Sequence, residues 1–114
     1  MMEIGERLAV ASPEDFAAWL VEHGTSVREI WVLVYKKASG KQTVTHEQLV
    51  EVALCHGWID GLRKALDAER YAQRFSPRRK RSHWTDTNRA LARRLLAAGR
   101  MTPAGRAALP EDPK

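Results

Sequence analysis

Hydrophobic residues recur along the chain with two different spacings, one typical of helices and one typical of strands. Phe16, Trp19, Leu20 and His23 are three or four positions apart, which puts them on one side of a helix. Residues 30–35 are apolar at every position, which is typical of a strand that is covered on both faces. The pattern therefore predicts helices and strands that follow one another along one chain.

Capping signals predict where the helices begin and end. A side chain that accepts a hydrogen bond from the first turn favours a helix start, and a following proline or a glutamine three residues later strengthens the signal. Such starts occur at Ser12, at Thr45, at Ser82 or Thr85, and at Thr102. Gly24, Gly57 and Gly99 are expected to end the first three of these helices.

Two further strands, Trp58 to Leu66 and Arg70 to Ser76, are predicted to form a hairpin around the sequence DAER. A four-residue loop would place Asp60 opposite Pro77, beside the basic run SPRRKRS. The element order predicts an α+β fold in which a small antiparallel sheet of about three strands packs with about four helices.

The length of 114 residues indicates a single domain spanning 1–114. Residues 1–11 are expected to be a flexible segment or a short edge strand, and residues 108–114 are expected to be flexible. The apolar runs are far shorter than a membrane span, and the first residues lack a signal-peptide pattern. We therefore expect a cytoplasmic protein with no membrane insertion.

Charge is distributed unevenly along the chain. Residues 1–57 hold 5 Lys/Arg against 8 Asp/Glu, and residues 58–114 hold 14 against 6, so the net charges are −3 and +8. A basic half indicates either a solvated surface or an anionic partner. The single cysteine excludes an internal disulfide and argues against a structural zinc site, so we expect no metal and no cofactor.

The stretch ALCHGWIDG, residues 53–61, offers Cys55, His56 and Asp60 as candidate chemical groups. Cys55 falls near a helix end where the dipole disfavours a thiolate, so we interpret it as a small buried residue. His56 is interpreted as structural or as the rim of a site, with catalysis as the lesser alternative. Asp60 would either order the adjacent loop or act beside an arginine as an acid or base.

The run SPRRKRSHWTDTN joins the last predicted strand to the third helix, where backbone N–H groups favour an anion. Arg89, Arg93 and Arg94 extend the positive surface along that helix. A solvated basic surface with a tryptophan in the core explains the same residues equally well. The candidate ligand-binding residues are Trp58, Asp60, Arg78, Arg79, Ser82, Trp84 and Asn88.

Three segments of the chain resemble signatures of the YdeI/OmpD-associated family, also called the bacteriocin-protection family, in their order and spacing. They are ALCHGWIDG, RFSPRRKRSHWTDTN and LLAAGRMTPAG. The chain resembles that family over roughly residues 12–106. It departs from the family's pattern in lacking the usual basic C-terminal helical segment and in carrying His56 where an aromatic residue is common. The resemblance implies tolerance to antimicrobial peptides and association with an outer-membrane porin, without a catalytic residue.

Three functions remain open on these observations. The first is a non-enzymatic binding module for a protein partner or a small anionic ligand. The second is an enzyme that uses Asp60 or His56 as acid or base beside an arginine-lined anion pocket. The third is non-specific nucleic-acid binding through the basic C-terminal half.

Overall fold

The computed structural model describes residues 5–78 and 84–109. The elements follow along the chain as β1 (Arg7–Ala9), α1 (Pro13–His23), β2 (Ile30–Tyr35), a short 3₁₀ turn (Lys37–Ser39), α2 (His46–Cys55), β3 (Trp58–Ala65), β4 (Arg70–Pro77), α3 (Asp86–Ala97) and α4 (Pro103–Ala107).

The strands form one mixed sheet in the order β1-β2-β4-β3. β4 lies between β2 and β3 and is antiparallel to both, whereas β1 runs parallel to β2. The predicted α+β fold is therefore confirmed, and the sheet has one strand more than expected. That strand forms because Leu8 packs against the core and the backbone N–H of Trp31 donates to the carbonyl of Glu6 at 2.9 Å.

One face of the sheet carries α1 and α2. Ile30, Val32 and Val34 alternate along β2 and are all 1% exposed or less, in one cluster with Phe16 and Leu49 of the two helices. α3 packs beyond α2 in a second cluster, which contains Leu54, Trp84, Leu95 and Met101. Helix α2 is therefore buried between the sheet and the C-terminal helices.

The predicted helix starts are confirmed by their hydrogen bonds. Ser12 accepts from the first turn of α1, and Thr45 and Gln48 form both bonds of a capping box. Thr85, not Ser82, caps α3, and Thr102 caps α4. Residues 79–83, which include Ser82, lie outside the described residues.

The predicted register of the β3–β4 hairpin is wrong. Asp60 pairs with Phe75, where the sequence predicted Pro77. Next to the turn Ala65 pairs with Tyr71, one residue away from the register that an Asp60–Pro77 pair requires, and a bulge between Asp60 and Arg63 shifts the register again.

Side chains stabilise both the turn between β3 and β4 and the bulge between Asp60 and Arg63. The carboxylate of Asp67 accepts from the backbone N–H groups of Glu69 and Arg70 at 2.9 and 2.8 Å, which closes the turn without glycine or asparagine. The buried Gln73 side chain donates to the carbonyls of Gly61 and Leu62 at 2.9 and 3.2 Å. The turn shifts the pairing by one residue and the bulge by one more, and a local sequence pattern carries no information on the Gln73 contact that supports the second shift.

Candidate functional site

A cleft of about 640 Å³ opens between α2, α3 and the start of β3. This volume lies within the range of small-molecule sites, roughly 300–1,000 Å³. Its apolar lining comes from Val50, Ala90 and Leu91. Its polar and charged lining consists of His46, Glu47, Glu51, Asp60, Thr87, Asn88 and Arg94.

Asp60 reaches the cleft because it lies two residues after Trp58 on β3 and so shares the sheet face that the helices cover. One carboxylate oxygen, Oδ2, lies 3.6 Å from Nε2 of His46, the first residue of α2. The Asp60 and His46 side chains are 30% and 31% exposed. The pair is therefore partly screened from water and still accessible from the cleft.

Arg78 follows β4 and stacks on a tryptophan that precedes α3. Its guanidinium carbon lies 3.6 Å from the centre of the Trp84 ring, and its backbone N–H donates to Gly57 at 2.9 Å. Burial lowers the pKa of Arg78, while the nearby charge of Asp60 acts in the opposite direction. Asp60 and Arg78 therefore interact electrostatically. They do so although Asp60 pairs with Phe75 and not, as the sequence predicted, with Pro77.

Asn88 and Arg94 bring α3 to the cleft. The backbone N–H of Asn88 donates to Thr85 Oγ1 at 3.1 Å, which leaves the Asn88 side chain in the lining. Arg94 follows Asn88 by six positions, which corresponds to about 9 Å along a helix axis. The two side chains therefore supply an amide and a guanidinium at separate points.

The other predicted site residues lie elsewhere or are not described. Trp58 is 2% exposed and stacks edge-on against Trp19 with 5.8 Å between ring centroids, so it is a core residue. Trp84 is 6% exposed and belongs to the second core cluster. Arg79 and Ser82 lie outside the described residues. Of the predicted set, Asp60 and Asn88 line the cleft.

Sequence reasoning missed the α2 side of the cleft. His46, Glu47 and Glu51 were not singled out, since the helix was interpreted only through its buried face. A signal was present, because residues three or four apart share one side of a helix and Glu47, Val50 and Glu51 have that spacing.

Cys55 and His56 do not line the cleft. Cys55 is 4% exposed and burial raises the pKa of its thiol. Nδ1 of His56 lies 3.0 Å from the carbonyl of Val52, one helical turn earlier. The interpretation of Cys55 as a small buried residue agrees with this position, and the His56 ring is held by its own helix.

The end of α2 forms a tight contact with α4, here called the α2–α4 joint. The carbonyl of Cys55 accepts from the backbone N–H and from Oγ1 of Thr102, at 2.9 and 2.6 Å. A Cβ at Gly105 would overlap with that same carbonyl. Gly57 ends α2 with a φ of 80°, and a Cβ there would lie 2.8 Å from the carbonyl oxygen of Ala104.

Within residues 5–78 and 84–109, no group of three or more His, Cys, Asp or Glu side chains is arranged to hold a metal ion. No helix in the same ranges is long and apolar enough to cross a membrane.

Comparison with known proteins extends this description at one point. Searches among curated proteins and among solved structures found no match. A family model described as Domain of unknown function (DUF8412) matches residues 8–108, which include every element except the first residue of β1. The chain therefore belongs to the DUF8412 family.

Proposed function

We propose that this domain binds a small polar ligand in the cleft between α2 and α3 and acts as a binding module. Support comes from one observation above all: Asp60 and Asn88, which the sequence singled out, meet His46 and Arg94 in one cavity of about 640 Å³. Convergent polar groups beside an apolar surface are typical of ligand sites.

The lining favours a ligand that is not purely anionic. Glu47, Glu51 and Asp60 supply three carboxylates, while Arg94 supplies one guanidinium. An anion would meet repulsion from Glu47, whose carboxylate forms no ion pair with the described residues. The earlier expectation of a small anionic ligand therefore stays a weaker proposal, as does that of a protein partner.

A thermal-shift screen of a metabolite panel tests the binding function. A ligand at a hundred times its Kd stabilises the folded state by about 2.7 kcal/mol, which raises the Tm of a small domain by several degrees. The hit should lose its effect in Asp60→Asn and keep it in Glu22→Gln, which makes the same change on the exposed surface of α1. A panel without a hit, or a hit equal in both variants, would contradict the proposal.

A second candidate is acid–base chemistry by Asp60. The 3.6 Å approach of His46 favours it, because a histidine can hold a carboxylate in place. Nδ1 of His46 is buried and makes no hydrogen bond with the described residues, so the accessible Asp60 carboxylate is the group that would exchange a proton with a ligand. Turnover of a screen hit that Asp60→Asn abolishes would establish this function, and binding without turnover would exclude it for that hit.

Two further proposals rest on sequence alone. Non-specific nucleic-acid binding through the basic half predicts an affinity that falls steeply with salt, and an absence of binding at low salt would contradict it. Kinship with the YdeI/OmpD-associated family rests on the three signatures, of which ALCHGWIDG and LLAAGRMTPAG meet at the α2–α4 joint through Cys55 and Thr102.

A further inference from the structure

Two opposite charges that line the cleft have no partner among the described residues. Glu47 on α2 and Arg94 on α3 form no ion pair or side-chain hydrogen bond with any residue in 5–78 or 84–109, and so they do not pair with each other. Each is exposed, so water solvates it in the free protein. Among the described residues that line the cleft, Glu47 therefore offers a ligand an unpaired carboxylate and Arg94 offers an unpaired guanidinium.

The two other carboxylates of the cleft each interact with an arginine, Glu51 with Arg100 and Asp60 with Arg78. Glu51 pairs with Arg100 at 3.2 Å. Asp60 lies 3.6 Å from His46 and interacts with the charge of Arg78. A ligand that carried only positive charge would leave Arg94 unmatched, and a ligand that carried only negative charge would leave Glu47 unmatched.

We propose that the ligand is a zwitterion of the amino-acid or short-peptide class, whose ammonium group pairs with Glu47 and whose carboxylate pairs with Arg94. This inference rests on the proposed binding function of the cleft. Val50 and Leu91 supply apolar contact for one hydrophobic side chain, and Asn88 and Thr87 supply hydrogen bonds to an amide. The volume of about 640 Å³ accommodates either an amino acid or a dipeptide.

Four probes separate the contributions of the two charges. They are the dipeptide alanyl-leucine, its N-acetyl derivative without the ammonium, its C-terminal amide without the carboxylate, and free leucine. Binding to the full chain is measured by two-dimensional NMR titration. The unmodified dipeptide should bind most tightly, with shifts at cleft residues, and each modified form should bind about fivefold more weakly, since an exposed ion pair contributes only modestly.

Two variants assign each charge to its partner. Glu47→Gln should bind the dipeptide and its N-acetyl form equally, because the ammonium then has no carboxylate to meet. Arg94→Gln should bind the dipeptide and its amide equally. Arg93→Gln is the matched control for the second variant, because Arg93 is exposed on the same helix and does not line the cleft.

The outcomes decide between the two proposals. Equal binding of all charged forms by the wild type, unchanged discrimination in both variants, or no shift at millimolar dipeptide and leucine would overturn the zwitterion. Free leucine that binds as tightly as the dipeptide would support a zwitterionic ligand and would show that a single amino acid is sufficient for binding. A neutral or singly charged screen hit lost in Asp60→Asn, with no zwitterion binding, would overturn this inference and leave the binding function standing.

Discussion

Helix α2 contacts α4 closely and leaves an open cleft against α3. At the α2–α4 joint, Thr102 bonds directly to the last carbonyl of α2, and Gly105 lies against that carbonyl with no room for a side chain. On the cleft side, Glu47 of α2 and Arg94 of α3 face the same space without pairing. The joint is held by close backbone contacts and direct hydrogen bonds, whereas the cleft is lined by polar and charged side chains around open space.

The same comparison divides the segment ALCHGWIDG. Cys55 and Gly57 belong to the joint, where one supplies a carbonyl and the other a left-handed turn. Trp58 belongs to the core, and Asp60 belongs to the cleft. A run of reactive residue types thus serves three physical purposes, and Asp60 is the residue of this segment that both carries a charge and borders the cleft.

Substitution of Gly105 tests the joint with the largest expected effect. Gly105→Ala should lower the free energy of unfolding by about 3 kcal/mol, because its Cβ would overlap with the carbonyl of Cys55. Urea unfolding followed by tryptophan fluorescence measures the change. The matched control is Gly40→Ala, where φ is 74° and nothing lies near the new methyl group, so only about 1 kcal/mol of backbone strain is expected. Equal costs at the two sites would contradict steric closure of the joint.

The sequence predicted the parts of the fold that depend on local chemistry. Thr45 with Gln48, Thr85 and Thr102 were identified as helix starts because capping needs only residues three positions apart. The sequence predicts the short strand β1 only as one of two alternatives for residues 1–11, since its stability comes from pairing with β2, which lies beyond the intervening helix in the sequence. The register of Asp60 was wrong by two residues, because the turn shifts the pairing by one residue and the bulge that Gln73 supports shifts it by another.

The candidate site was predicted less completely than the fold. Asp60 and Asn88 were identified because each is a polar residue close in sequence to tryptophan and basic residues, a combination that indicates a candidate ligand site. His46 and Glu47 were missed because the helical spacing that groups Glu47 with Val50 and Glu51 does not indicate that α3 leaves a cleft beside that side of α2. Trp58 was expected to contact a ligand, yet it is buried in the core against Trp19. Trp19 lies on α1, far from Trp58 in the sequence, so a local pattern does not predict this contact.

The reactivity of Cys55 provides a second test of the α2–α4 joint. Burial raises the pKa of its thiol, so the reactive thiolate forms only at higher pH than in an unfolded chain. Alkylation by iodoacetamide at pH 8 should be at least about tenfold slower in the native protein than in urea. Because the folded pKa is raised, stability from the neutral thiol is present below the unfolded pKa and is lost as pH rises through the folded pKa. Gly105→Ala should react faster than the wild type, and equal native rates would show that the joint does not protect the thiol.

Asp60→Asn should have the smallest effect on stability. Asp60 is 30% exposed, its neighbour His46 is equally accessible, and an amide of the same shape fits the cleft. Partly exposed charge pairs contribute about 1 kcal/mol or less, so the free energy of unfolding should change by no more than that. The measurement is the same urea titration used for Gly105→Ala, and a loss near 3 kcal/mol would mean that Asp60 is a structural residue of the β3–β4 hairpin. A small change combined with the loss of a ligand's thermal shift would separate the two sides of α2, because one side tolerates no added methyl group and the other tolerates a change of charge.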